Sequence, residues 1–334
     1  MLKVPSILFQ PTLFGIMSYR FFILMLGLMG WGAQRTLGAS PDYFQQKVRY
    51  QIQVSLDPVH HVLHGHLRMD YTNQSPQALD RLVMHLHPNA YSSTRTAFAQ
   101  QQLAGGSTRF RFAPDSLRGG MDSLEFRVNG QKLRWEYWHA DTPDIATVYL
   151  EQPLMPGTTL TLETPFRVRV PGDFSRMGHV GNQYQITQWY PKPAVYDSKG
   201  WHPLPYLDQG EFFSEFGSFE VDITVPASYR VASSGDLQTS SEQQWLDSLA
   251  KHCAGLDSFP PLRMRGDSLN PPSSSTKTLR YVLDQAHDFA WFCAPDYYVR
   301  QSKIEIDGKE VKTYAFFTGG NKSWKDATLF VDSS

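Results

Sequence analysis

Eleven histidines are the first residues in this chain that could do chemistry. Two of them one helical turn apart, with a Glu directly after the first, would hold zinc on one helix face and supply the base that activates its water. None of the eleven is followed by Glu, so that helix is not in this sequence. His64 and His66 alternate onto one face of a strand and His85 and His87 do the same on a later one, so cross-strand pairing could gather imidazoles. No carboxylate or Cys completes a metal-ligand spacing, and all four read as surface residues on the wet face of a sheet. Cys253 and Cys293 do not make a disulfide framework, and Cys293, inside the apolar run 290–294, reads as a small buried thiol.

A second candidate is aromatic and amide chemistry in the stretch 188–226, around which the rest of the chain is organised. It opens on Gln188, Trp189, Tyr190 and Pro191, crosses a turn-rich loop crowded with Tyr and Trp, and closes in the alternating strand 219–225. Long connections without regular structure are functional or disordered, and this one carries too many aromatics for disorder. Trp189 and Tyr190 could line a pocket or fill a core. His179 and His202 flank the loop.

The elements that must position these residues are mostly strands. Apolar and polar residues alternate over 48–56 and 63–71, and a third strand over 79–87 completes an expected antiparallel meander with one wet face. Residues 92–122 read as an irregular insertion. A strand over 124–128 enters a hairpin at Asn129-Gly130, where both central residues need positive φ. Further strands follow at 147–150 and 158–170, punctuated by Pro153, Pro156 and Pro171. Residues 240–251 read as a helix with a capping box from Ser241 to Gln244. The Pro-rich stretch that includes Pro260-Pro261 and Pro271-Pro272 is an excursion before a strand at 278–283. A hairpin over 303–317 turns on Asp307-Gly308, and a helix begins at the N-cap Ser323. Ala315, Phe316, Phe317, Leu329 and Phe330 are expected to lack a partner core.

The 334 residues carry 31 basic and 32 acidic side chains, and the net charge of −1 excludes the basic footprint of a nucleic-acid binder. Arg20, the apolar run 21–29 and the small residues Gly32, Ala33, Gly38 and Ala39 have the order of a secretory signal peptide over 1–39, with Met17 as an alternative start. Its uncharged stretch is shorter than the roughly 20 residues of a bilayer span. The expected location is secreted, periplasmic or cell envelope, and an uncleaved signal would associate the chain with a membrane.

Several motifs resemble the amino-terminal region of aminopeptidase N-like zinc metallopeptidases of the HExxH (gluzincin) type. They are Thr187-Gln188, Val225-Pro226, the turn at Val231 to Leu237, the run His287, Asp288, Phe289, Ala290 and Trp291, and the pattern Tyr71, Asn73, Ser75, Pro76 and Leu79. The resemblance implies a mainly β fold: a saddle-like antiparallel β-sandwich domain over 41–300, with insertions near 92–122 and 238–277. Residues 301–334 would then begin an α/β catalytic domain. It implies zinc for a full-length parent and an N-terminal residue of a peptide as substrate, with Gln188 and Tyr190 on the substrate-binding side. Tyr190 departs from the Gln or Glu usual at that position and supplies no full negative charge. Gly119, Gly120, Met121 and Asp122 look like the family's GxMEN strand, but they precede Thr187-Gln188 instead of following it, and read as a loop. The chain lacks HExxH and is expected to be an inactive amino-terminal part. The alternative is a non-catalytic secreted β-sandwich module that binds peptide or carbohydrate through its aromatic loop.

Overall fold

The computed structural model describes residues 43–260, 275–320, 324 and 326–333. The expected signal segment, Pro271-Pro272 and the Ser323 cap lie outside the described residues. The chain divides into two units, Met1–Tyr43 and Phe44–Ser334, and every element described belongs to the second.

The fold is mainly β, with antiparallel sheets packed over one large apolar core. In the strand Lys47–Asp57, Val48, Tyr50, Ile52, Val54 and Leu56 turn inward while Lys47, Arg49 and Gln53 face solvent, the period-two pattern of a half-buried strand. It forms a hairpin with Val62–Thr72, registered from Lys47 opposite Thr72 to Asp57 opposite Val62. Thr159–Arg169 lies on the far side of Val62–Thr72, and Gly217–Pro226 on the far side of Lys47–Asp57. That last pair is parallel, Val48 opposite Gly217 and Ser55 opposite Thr224. Parallel neighbours need a long crossover, and here most of the chain between the two strands supplies it.

The expected meander ends after two strands. Leu79–His85 leaves the large sheet and becomes an inner strand of a second one, between Lys192–Pro193 and Ile145–Leu154. Its consecutive residues Leu82, Val83 and Met84 are all buried, which fits a strand covered on both faces and not one with a wet side. A third sheet contains Gln183–Ile186, Trp291–Ala294 and Arg230–Ser233.

The insertion at 92–122 is ordered where irregular chain was expected. Thr96 caps the helix Ala97–Ala104, its side chain accepting from the Ala99 N–H at 3.3 Å. Phe98 packs on Tyr91 and Phe110, with ring centroids 4.7 and 5.1 Å apart, and Gly120–Asp122 pairs with Thr159–Arg169. The helix Ser240–Ala254 forms as read, but its N-cap is Thr239 and not a box from Ser241. The Thr239 hydroxyl accepts instead from the Arg280 N–H, tying the helix to Thr276–Ala286. Both hairpin turns hold the expected positive φ values, 51° and 78° at Asn129-Gly130 and 50° and 74° at Asp307-Gly308.

The hairpin Tyr298–Ile306 and Lys309–Phe317 packs against the helix Ser240–Ala254. Ala315 and Phe317 therefore do have a core, shared with Cys253, Phe259, Tyr298 and Ala327. Val299 forms another with Leu246 and Ala250, against which Phe316 packs. The inserted helix, read as decoration, supplies the apolar face that the hairpin needed. Among the described residues no helix is long and apolar enough to cross a membrane.

Candidate functional site

Two segments a hundred positions apart meet through one strand pair. Ile186, at the end of Gln183–Ile186, lies opposite Trp291, at the start of Trp291–Ala294. The residues just beyond, Gln188 on one side and Asp288 on the other, are thereby brought face to face. The Trp189 indole N–H donates to the Phe289 carbonyl at 2.9 Å and locks the approach, with Trp189 fully buried.

Asp288 is the hub. Its Oδ1 accepts from the Tyr190 hydroxyl at 2.8 Å and from the Phe289 N–H at 2.8 Å. Its Oδ2 accepts from the Gln188 amide nitrogen and lies 3.4 Å from the Lys192 ammonium. The Lys192 side chain is 2% exposed and that of Asp288 23%, so the pair sits at the edge of the core with the carboxylate outermost. Lys192 arrives by pairing with His85 across the strands Lys192–Pro193 and Leu79–His85.

Gln188 is gripped at both ends of its carboxamide. Its Oε1 is 2.8 Å from His87 Nδ1 while its nitrogen donates to Asp288. This fixes the amide orientation, since a flipped amide would aim oxygen at a carboxylate, and it makes His87 Nδ1 the protonated nitrogen. A line of donors thus runs from His87 through Gln188 to Asp288. Gln188 also has φ of 53°, in the left-handed region that a non-glycine residue rarely occupies. Such a conformation persists where the surroundings over-determine it, and these residues cluster at functional sites.

Burial sets the charges. It pushes His87 well below its ordinary range, with His85 and Lys192 adding to the effect, and lowers His85 to about 3. Both imidazoles are therefore neutral. Burial also lowers the Lys192 ammonium, against which the Asp288 carboxylate works. The Tyr190 phenol is pushed far up, by burial first and then by Asp288. The phenol and both imidazoles of the cluster are thus held in their neutral forms beside the contact between Lys192 and Asp288.

Gln188 and Tyr190, the two substrate-side residues read from the sequence, therefore share one carboxylate. The residues that join them carry no local signal in the sequence. Asp288 stood inside a noted motif without a role, and Lys192 stood between two prolines. His85 and His87, expected on a wet surface, are 2% and 3% exposed. The reason is the covered strand that carries His85, together with the aromatic wall of Tyr206 and Phe212 beside His87, at 5.7 and 5.2 Å. His64 and His66 are exposed. His179 stacks on His61 at 3.7 Å and His202 lies 2.9 Å from Asp197, both outside this cluster. Cys253 and Cys293 are both buried and free.

Among the described residues no three His, Cys, Asp or Glu side chains gather as metal ligands. His85 and His87 lie ring over ring, 4.7 Å apart with planes 22° from parallel, so their lone pairs do not converge on a common ion. The donors present do not fit zinc. Three concavities of about 390, 410 and 560 Å³ lie elsewhere, one beside Phe174 and His179 and two along the polar face of the large sheet. At the Asp288 cluster a left-handed backbone residue, Gln188, and a buried ion pair, Lys192 with Asp288, lie together.

No family profile matches the chain, and no curated protein matches it. Solved structures do. An M1 zinc metallopeptidase from Deinococcus radiodurans is similar with a TM-score of 0.45 and 16% identity, over 84% of this chain and 49% of that one. A two-domain M1 zinc metallopeptidase mutant bound to L-arginine gives 0.44 and 16% over the same shares. A mutant of the Deinococcus radiodurans enzyme bound to a Tyr-Ser-Ala substrate gives 0.44 and 16%, over 83% and 48%. The chain spans about half the length of these structures.

Proposed function

We propose that this chain is the amino-terminal part of an exported zinc aminopeptidase, that it holds the amine end of a peptide at Gln188 with the buried Tyr190 hydroxyl orienting Asp288 behind it, and that it is inactive by itself. The observation that carries this reading is the meeting of two motifs. The Thr187-Gln188 segment and the run from His287 to Trp291, which resemble that family independently in the sequence, converge on the Asp288 carboxylate. The Gln188 oxygen takes one proton from His87 and keeps a second lone pair, which suits an ammonium donor. Tyr190 brings no charge of its own, and Asp288, directly behind its hydroxyl, supplies the negative field. The zinc, its ligands and the base that activates water would belong to the rest of the parent.

The test is calorimetry on the purified chain with a tri-alanine amide and its N-acetylated form. The expected outcome is binding of the free amine, at least tenfold weaker binding of the acetylated peptide, and a comparable loss in Gln188→Ala. Aminoacyl-nitroanilide should remain uncleaved with or without added zinc. Hydrolysis by this chain that a chelator abolishes would overturn the inactivity. Equal affinity for both peptides would overturn amine recognition and favour a plain peptide-binding module.

A further inference from the structure

The polar face of the large sheet carries a trough. Two concavities, of about 410 and 560 Å³, adjoin at Gln53 and His66, which line both. The trough crosses the strands side by side. In one row Arg280 lies opposite Asp222, Asp222 opposite Gln53, Gln53 opposite His66 and His66 opposite Pro165. Beyond Pro165 the sheet is notched. Gly120–Asp122 pairs with Thr159–Arg169 at Arg167 to Arg169, and Arg127–Val128 pairs with it at Leu162 and Glu163, so neither reaches Pro165. Ser123, next after Gly120–Asp122, lines the depression there.

The charges around the trough are largely met. Arg68 pairs with Glu163 at 2.7 Å and Arg167 with Asp122 at 2.8 Å, while Arg49 and Arg280 share Glu220. Gln53, His66 and Asp222 stand among these pairs, and among the described residues their side chains make no hydrogen bond or ion pair with the protein. Gln53 and His66 are exposed and Asp222 is half-buried, so all three are open to a ligand on this face. A carboxylate, an amide and an imidazole therefore stand in a row, about 5 Å apart from strand to strand, with donors and acceptors unspent.

That pattern discriminates among ligands. A polyanion would meet guanidinium groups whose charge is already answered and one unpaired carboxylate, Asp222, that repels it. A peptide strand adds to the edge of a sheet and not to its face. A neutral chain of sugar rings brings hydroxyls, each both donor and acceptor, and adjacent hydroxyls on one ring suit a carboxylate or a carboxamide. We propose that this trough binds a neutral oligosaccharide, with Asp222, Gln53 and His66 as its polar row and Pro165 as an apolar patch beside a ring. The site does not depend on the peptidase reading.

The purified chain is titrated with cellohexaose, laminarihexaose and maltohexaose, read by calorimetry and by backbone amide NMR, with a heparin hexasaccharide as the charged counterpart. At least one neutral probe should bind saturably, move the amide signals of Gln53, His66 and Asp222, and keep its affinity as salt is raised. Gln53→Ala combined with His66→Ala should weaken that binding about tenfold, the loss of one or two hydrogen bonds. Thr72→Ala, further along the same face and outside the trough, should leave it unchanged. No saturable binding by any of the neutral probes at the highest soluble concentration overturns the proposal, and so does tighter binding of the heparin hexasaccharide. Signals that move only within residues 188–216 would put the sugar on the aromatic loop and overturn it as well. Should the double variant fail to fold, the wild-type shifts decide alone.

Discussion

The Tyr190 hydroxyl donates to Asp288 at 2.8 Å, joining the loop after one strand to the loop before its partner across nearly a hundred positions of sequence. Tyr190 is 1% exposed, so its hydroxyl has no water to fall back on. Removing it in Tyr190→Phe should cost about 1.5–3 kcal/mol, the range for a hydrogen bond to a charged group. Urea denaturation checks this through the midpoint at unchanged slope. A loss within error of zero would mean that Asp288 is held by its other donors alone.

Lys192 and Asp288 should show a larger and more diagnostic effect. Asp288→Ala leaves an ammonium that is 2% exposed without its counter-charge, and breaking such a pair costs about 3 kcal/mol or more. Lys192→Met in the same background removes the orphaned charge and should restore part of the loss. A double-mutant cycle measures the coupling. Additive single losses would show that the two groups do not stabilise one another.

What was legible in the sequence divides along a physical line. Alternation over 48–56 gave a strand because one side of Lys47–Asp57 is wet, and Asn129-Gly130 gave a turn because its backbone requires positive φ. These are local constraints. His85 was misread because its burial is imposed by Lys192–Pro193 and Ile145–Leu154, which come from far along the chain. The parallel pairing of Lys47–Asp57 with Gly217–Pro226 leaves no local mark either. At the site, Gln188 and Tyr190 were visible as types, but the carboxylate that unites them lies beyond any short window.

Stability should vary with pH through opposing groups. His85 is lowered to about 3 from an unfolded value near 6.5, so its contribution is complete above about 6.5 and is lost as pH falls from there toward 3. Glu215 is raised to about 7, so its contribution is complete below the unfolded value near 4.5 and is lost as pH rises from there toward 7. Melting temperature followed across this range should therefore fall less steeply on the acid side in His85→Leu. It should fall less steeply between about pH 4.5 and 7 in Glu215→Gln. Wild-type slopes retained in both variants would assign the pH dependence to other groups.

Gly65 holds a position that no other residue can take without moving the site. It lies opposite Phe166 in the pairing of Val62–Thr72 with Thr159–Arg169, and a Cβ on it would fall 2.1 Å from the Phe166 ring. That ring is 2% exposed and packs against Trp189 at 6.0 Å, so it has little room to retreat. Gly65→Ala should thus destabilise by about 2 kcal/mol, as overpacking of a filled core does. The strain should pass through Trp189 to the Phe289 carbonyl that it holds, loosening the Asp288 loop. Phe166→Leu added to Gly65→Ala makes room for the methyl and should recover stability relative to the single variant. Amide exchange at Phe289 should speed up in Gly65→Ala and slow again in the double variant. Exchange there that ignores Gly65→Ala would show that the cluster is insulated from the large sheet.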